Sequence, residues 1–206
     1  MKTVYSMDGK KSYLYPHKVY SWRKISKALQ EKFDRPGFLE MLLNGSKSHI
    51  PSDGLTDIYD GDIYKTFLDS DGGLYFNNRR NLGALMNLDW FNPFKKSKYS
   101  LGVFYLVLIN LPRSQRFKWE NVIVLGVIPG PKEPELTVNS FLRPHVDELL
   151  EFWEGVVLNE NGSPALYKLA LLGSSNDVPA CRKCCGFMAH NANKGEMMIN
   201  FYTFTL

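Results

Sequence analysis

The sequence predicts an α/β fold, and three observations support this class. Residues 82–89, 99–111, 122–128 and 167–172 are rich in aliphatic, β-branched and aromatic side chains, which is typical of buried strands. A helical pattern lies between the third and fourth of these segments. The composition, 44% hydrophobic and 14% aromatic over 206 residues, suits one globular domain with a sizeable core.

The composition also excludes several classes of protein. The longest apolar run, residues 101–111, is too short to cross a bilayer. The three cysteines lie within residues 181–185, which argues against a disulfide scaffold. Polar and charged residues follow Met1 where a secretory signal would have an apolar core, so we expect an intracellular protein without membrane contact.

Charge is distributed unevenly along the chain. Residues 1–48 hold ten Lys or Arg against four Asp or Glu, whereas residues 49–206 hold fifteen against seventeen. A basic segment ahead of a near-neutral body suits contact with DNA or another polyanion. The alternative, equally open from composition, is a solvated and poorly packed segment.

The first 80 residues predict a basic segment of short helices and loops. Residues 1–15 have no helical period and read as an extended lead-in. Residue spacing then predicts one helix, with Ser21 as its N-cap and one apolar face: Trp22, Ile25, Leu29 and Phe33. Pro36 and Gly37 end it, and residues 38–43 predict a second short helix. Residues 44–81 read mostly as loop, and the Asp-rich stretch 57–71 reads as a surface turn.

From residue 82 onward the order of predicted elements is strand, strand, strand, helix, strand. Prolines end the second and third strands. Pro144 is expected either in the first turn of the helix or to make the helix start later, because its ring clashes further inside. The apolar face of that helix is predicted from five residues: Leu142, Val146, Leu149, Leu150 and Trp153.

This order is how a ribonuclease-H-like fold begins, and the positions of two acids strengthen the inference. Asp89 closes the first predicted strand and Asp177 follows the fourth. Those two strands are neighbours in that fold, so the two carboxylates would meet. Paired carboxylates are suited to Mg²⁺ or Mn²⁺, which prefer oxygen ligands. The alternative is that both are ordinary turn residues.

A cysteine and histidine cluster lies further on, formed by Cys181, Cys184, Cys185 and His190. Four such ligands match the number in a closed zinc site, but the adjacent Cys184 and Cys185 are poorly placed to share one ion. The alternative is reduced thiols without a metal.

Several stretches together resemble one family, the En/Spm-like (CACTA) class of DDE transposases. The resemblance runs from about residue 12 to residue 195, with the motifs in the family's order. The similar stretches are residues 35–40, 57–61, 81–83, 89–94, 110–113, 120–122, 126–134, 139–142, 154–155, 177–180 and 185–195.

The resemblance implies a ribonuclease-H-like core that uses three acids and Mg²⁺ or Mn²⁺ to cut and join DNA in the nucleus, alongside other transposase subunits. Asp89 looks like the first acid and Asp177 like the second. Cys185 and His190 look like the first part of a Cys/His motif, so the implied zinc site is incomplete.

The sequence departs from the family after Gly195. Glu196 stands where the family has a cysteine, and residues 197–206 resemble nothing in it. We therefore expect three parts: a basic segment over 1–80, a truncated ribonuclease-H-like core over 81–195, and an unrelated tail over 196–206. Because the third acid is not matched, we expect a catalytically inactive fragment of a cut-and-paste DNA transposase. The alternative is a non-catalytic module, derived from a transposon, that binds DNA or transposase subunits.

Overall fold

The computed structural model describes residues 2–5, 12–15, 19–50, 54–95, 98–134, 138–177, 180 and 184. Two strands, β1 (Lys2–Tyr5) and β2 (Ser12–Tyr15), form an antiparallel hairpin within the segment predicted to be extended. The short strand β3 (Ser21–Trp22) follows, and α1 (Ile25–Phe33) begins after it. The predicted first helix is therefore wrong at its start, because Trp22 pairs with Gly126 in the sheet.

The segment between α1 and the central strands contains several short helices. They are α2 (Phe38–Asn44), α3 (Asp62–Thr66) and three 3-10 turns, Ser46–Ser48, Ile58–Asp60 and Tyr75–Asn77. The prediction of a surface turn is wrong for Asp57 and Asp60, whose side chains are 4% and 9% exposed. Arg116 pairs with Asp57 at 2.9 Å, and His49 pairs with Asp60 at 2.6 Å, so both carboxylates are compensated inside the protein.

The sheet consists of β3 and five further strands. These are β4 (Asn81–Phe91), β5 (Leu101–Leu108), β6 (Ile123–Ile128), β7 (Val156–Glu160) and β8 (Ser163–Ser174). Their order is β3-β6-β5-β4-β8-β7. All neighbours are antiparallel except β4 and β8, which run parallel. The α/β class is confirmed, with a six-stranded mixed sheet.

Two helices lie between the strands of the second half. The one-turn helix α4 (Arg113–Arg116) joins β5 to β6, and α5 (Val138–Glu154) leads from β6 to β7 and β8. A parallel pair needs such a crossover, because the chain must return to the starting edge. The order strand, strand, strand, helix, strand is present, with β7 as an additional strand between the helix and β8.

The predictions for α5 are partly wrong. Pro144 lies inside the helix and not in its first turn, since buried Val138 and Leu142 anchor the turn before it. Leu150 is 43% exposed, whereas His145 and Glu148 are buried. Both polar groups have partners from the N-terminal part of the chain, Tyr20 for Nε2 of His145 and Ile25 for Glu148, which offsets part of the cost of burying them.

One hydrophobic core joins the sheet to the helices. It contains Ile25, Leu29 and Phe33 of α1, Leu42 of α2, and Phe152 of α5, together with the apolar residues of β4 to β6. Residues 25–44 therefore pack with the strands of the predicted core, although the division of the chain at residue 80 itself stays a prediction. Within the described residues, no helix has both the length and the hydropathy that crossing a membrane requires.

Candidate active site

The first predicted acid, Asp89, lies near the carboxyl end of β4. Its side chain is exposed, and its Oδ1 accepts a hydrogen bond from the N–H of Trp90 at 2.8 Å. Residue Gly102 of β5 lies opposite Trp90, and a Cβ there would come within 2.6 Å of the indole ring. A glycine is thus needed for the strand pair to close beside Asp89.

The second predicted acid, Asp177, follows the end of β8. The ladder between β4 and β8 ends at Met86 and Ser174, and the N–H of Ser175 then donates to the carbonyl of Met86 at 2.8 Å. Asp177 is exposed, and its Oδ1 accepts a hydrogen bond from the N–H of Ala180 at 2.8 Å.

Two asparagines hold the chain beyond β8 against β4. The Oδ1 of Asn176 accepts a hydrogen bond from the N–H of Leu88 at 2.6 Å, where a strand carbonyl would otherwise be expected. The side-chain amide of Asn87 donates to the carbonyl of Ser175. Sequence reasoning missed both positioning residues. The run 174–177, with two serines, an asparagine and an aspartate before Val178-Pro179, was nevertheless a turn signal.

The predicted neighbourhood of the two strands is confirmed, since β4 and β8 pair in parallel. Asp89 directly follows Leu88, whose N–H donates a hydrogen bond to Asn176, and Asp177 directly follows Asn176. Both acids therefore belong to the same edge of the sheet, where the carboxyl ends of the two strands meet. Their roles as catalytic acids and metal ligands stay predictions, as does a carboxylate separation of roughly 4–8 Å.

The donor set at this edge fits a hard divalent cation. Two exposed carboxylates offer the oxygen ligands that Mg²⁺ and Mn²⁺ prefer, and Mg²⁺ commonly binds through one or two carboxylates plus waters and substrate phosphates. Among the described residues, no group of three His, Cys, Asp or Glu side chains is arranged to hold a metal ion.

The carboxylate of Asp89 affects the pKa of a side chain on the neighbouring strand. The pKa of Tyr105 on β5 is raised, first because the hydroxyl is partly buried and then because the carboxylate of Asp89 lies nearby. Asn87 pairs with Tyr105, and residues two apart share a face of a strand. Asp89, Asn87 and Tyr105 therefore lie on one face of the sheet.

The remaining sequence predictions fall largely outside the described residues. Cys181, Cys185 and His190 are not described, and Cys184 is half-buried against the core, so the zinc motif stays a prediction. The basic segment over 1–48 is described only in part: Lys24 and Lys27 are exposed and Arg23 pairs with Glu31, while Lys10, Lys11 and Lys18 are not described.

A comparison with protein families defines the class of protein. A family model described as "Transposase family tnp2" matches residues 53–203, which is well over half of the chain. The chain belongs to this transposase family. The match includes both Asp89 and Asp177, and it continues past Gly195, where the resemblance found residue by residue ends. A search of curated proteins finds no match.

Proposed function

We propose that this chain supplies two of the three acids of a ribonuclease-H-like catalytic core, in a cut-and-paste DNA transposase of the En/Spm-like (CACTA) type. Asp89 and Asp177 are the two acids. The observation that carries the proposal is the parallel pairing of β4 with β8, with an exposed aspartate at the carboxyl end of each strand. The strand order β6-β5-β4-β8 is also the one expected at the start of that fold.

The chemistry follows from what the two side chains offer. Their carboxylate oxygens would hold Mg²⁺ or Mn²⁺, which activates an attacking water and stabilises the leaving oxygen in phosphodiester cleavage. Asn176 and Asn87 act as positioning residues, since their hydrogen bonds fix the segment that carries Asp177. As the resemblance implies, we also propose that the protein acts in the nucleus, with DNA as its substrate and further transposase subunits as its partners.

We further propose that this chain alone does not cleave DNA. Only two of the three family acids have a counterpart in the resemblance, Asp89 and Asp177. Losing a metal ligand removes charge stabilisation of several kcal/mol at the transition state, and each 1.36 kcal/mol is about tenfold in rate. The incomplete zinc motif at Cys185 and His190 is expected to hold less than one equivalent of zinc.

The decisive experiment measures metal binding directly. Mn²⁺ is titrated into the protein and followed by electron paramagnetic resonance, with the parent beside an Asp89→Ala, Asp177→Ala double variant. The matched control is an Asp62→Ala, Asp71→Ala double variant, which removes two exposed carboxylates elsewhere. We expect weak binding that only the first pair of substitutions abolishes. Equal binding by the parent and both double variants would contradict the proposed site.

A cleavage assay on a labelled DNA duplex tests the inactivity separately. We expect no nicking or joining by the parent with Mg²⁺ or Mn²⁺. Cleavage that the Asp89→Ala, Asp177→Ala variant loses would show that the site is complete in this chain, and the proposal of inactivity would be wrong.

The alternative function, a non-catalytic module that binds DNA, is supported by the basic segment and by the exposure of Lys24, which precedes α1, and of Lys27 on α1. It predicts salt-sensitive DNA binding that the Asp89→Ala, Asp177→Ala substitutions leave unchanged. The two functions differ in metal binding alone, which the Mn²⁺ titration measures.

A further inference from the structure

Two large aromatic side chains stand exposed just before β6. Phe117 is 66% exposed and Trp119 is 73% exposed, and Lys118 lies between them. Within the described part of the chain, the ammonium group of Lys118 makes no ion pair. Two exposed aromatic rings with an exposed lysine between them form a candidate binding surface.

The backbone that carries these aromatics is held firmly. Lys32 and Arg35 of the α1–α2 region both donate hydrogen bonds to the carbonyl of Glu120, and Arg35 also reaches Asn121 Oδ1 at 2.9 Å. The N–H of Asn121 donates to the carbonyl of Lys118 at 2.8 Å. Trp119 is therefore presented by a preorganised turn, which lowers the entropic cost of binding through it.

Trp119 lies on the same face of the sheet as the candidate active site. Its ring meets the ring of Tyr105 edge to face, with centroids 6.4 Å apart. Tyr105 is the diagonal cross-strand neighbour of Asp89, a relation that separates two residues by about 7–8 Å. A row thus runs across the face from Asp89 through Tyr105 to Trp119.

The amino end of the same face is closed. A Cβ on Gly83 of β4 would come within 2.6 Å of Ile109 and 3.0 Å of Phe76, so those side chains cover the sheet there. At the carboxyl end of β4, the row consists of exposed Asp89, half-buried Tyr105 and exposed Trp119. The row has a carboxylate at one end and aromatic surface with a cation at the other.

We propose that Trp119, with Tyr105 behind it, is a stacking platform for an unpaired base of the DNA strand whose phosphate would approach the divalent cation held by Asp89. This inference rests on the proposed function and names the substrate as single-stranded or locally unpaired DNA. Every base offers a π-face to an aromatic ring, so such a platform is tolerant of sequence. Lys118 contributes attraction to the backbone phosphates.

The first test measures the affinity of a fluorescein-labelled oligo-dT for the parent and for Trp119→Leu and Trp119→Phe variants, without metal. Loss of a stacked base costs about 5- to 150-fold in affinity. We expect this loss in the leucine variant and retention of most affinity in the phenylalanine variant, because only the latter keeps an aromatic face. Trp22→Leu is the matched control, since Trp22 is 43% exposed but lies at the β3 edge of the sheet, and the affinity of this variant should stay close to that of the parent.

The second test separates stacking from charge. An oligonucleotide with the same phosphates but abasic residues is expected to bind the parent as weakly as oligo-dT binds the Trp119→Leu variant. Lys118→Ala is expected to reduce the slope of log K against log salt by about 0.7, the value for one phosphate contact on a single strand, and Trp119→Leu to leave that slope unchanged.

These outcomes distinguish the platform from other occupants of the surface. If the leucine variant binds oligo-dT as tightly as the parent, or if abasic and normal oligonucleotides bind alike, the proposal is overturned. Dimerisation of the parent that Trp119→Leu abolishes, with DNA binding unaffected, would assign the surface to a second copy of the chain and also overturn it. Repeating the titrations in the Asp89→Ala, Asp177→Ala background keeps the test independent of the metal site.

Discussion

Replacing Glu148 should destabilise the protein more than any exposed substitution on the same helix. Glu148 lies on α5 and is 6% exposed. Its carboxylate accepts hydrogen bonds from the N–H of Ile25 at 2.6 Å and from the N–H and hydroxyl of Ser26 at 3.0 and 2.7 Å. It thus caps the start of α1 from a distant part of the chain, where no local side chain does so.

The magnitude follows from the groups left behind. Hydrogen bonds to a charged acceptor contribute about 1.5–3 kcal/mol each, and a buried donor left without a partner costs about 1–3 kcal/mol. Because Ile25 is fully buried, Glu148→Ala leaves the N–H of Ile25 without a hydrogen-bond acceptor. We therefore expect the free energy of unfolding to fall by about 3–5 kcal/mol. Glu148→Gln keeps one acceptor but removes the charge at the helix N-terminus, so about 1–2 kcal/mol is expected.

Urea unfolding followed by tryptophan fluorescence measures the effect, with Glu151→Ala as the control because Glu151 is an exposed residue of the same helix. The control should stay within about 0.5 kcal/mol of the parent. A loss below about 1 kcal/mol in Glu148→Ala, with an unchanged m-value, would show that the helix start does not depend on this cap.

Two further predictions concern close packing and pH. Gly45→Ala should cost about 3 kcal/mol or more in urea unfolding, because its Cβ would lie 1.8 Å from the carbonyl oxygen of Asn110, whereas Gly54→Ala meets nothing within 4 Å and should be neutral. Burial lowers the pKa of His145 to about 4 from the ordinary 6.5. Between pH 6.5 and pH 4 the folded state therefore binds fewer protons than the unfolded state. As the pH is lowered through this range, the free energy of unfolding should fall by up to about 1.36 kcal/mol per pH unit. Thermal unfolding against pH checks this, and His145→Gln should flatten the profile; an unchanged profile in that variant would contradict the reasoning.

The central strands could be predicted from the sequence because their patterns are local. The apolar run that predicted β4 reflects burial on both faces at its amino end, and β5 is likewise buried almost throughout. The order of β4, β5, β6, α5 and β8 followed from these runs and their prolines. The parallel partnership of β4 and β8 then required only the crossover through α5.

Other features depended on contacts far along the chain. Trp22 has helical spacing to Ile25, but its backbone pairs with Gly126, which no local pattern reveals. His145 and Glu148 interrupt the apolar face of α5 and are nevertheless buried, because Tyr20 and the start of α1 supply their partners. Such partners are known only after the chain has folded.

One missed element did carry a local signal. The hairpin of β7 and β8 turns at Asn161 and Gly162, which have positive φ values of 52° and 88°. An Asn-Gly pair between two runs of strand-like residues is the strongest short signal for such a turn, since both positions tolerate a left-handed backbone.

The candidate site shows why sequence can nominate acids but not fix their geometry. Asp89 is placed by the strand that contains it, whereas Asp177 lies beyond the last paired residue of β8. Its position depends on Asn176, whose side chain substitutes for a strand carbonyl at the N–H of Leu88. If β8 continued as a regular strand, the pleat would decide which face of the sheet Asp177 points to, because alternate residues face opposite sides. The side-chain bond ends the pleat at that point instead, so where Asp177 points is decided by the asparagine before it and by the N–H of Ala180 after it.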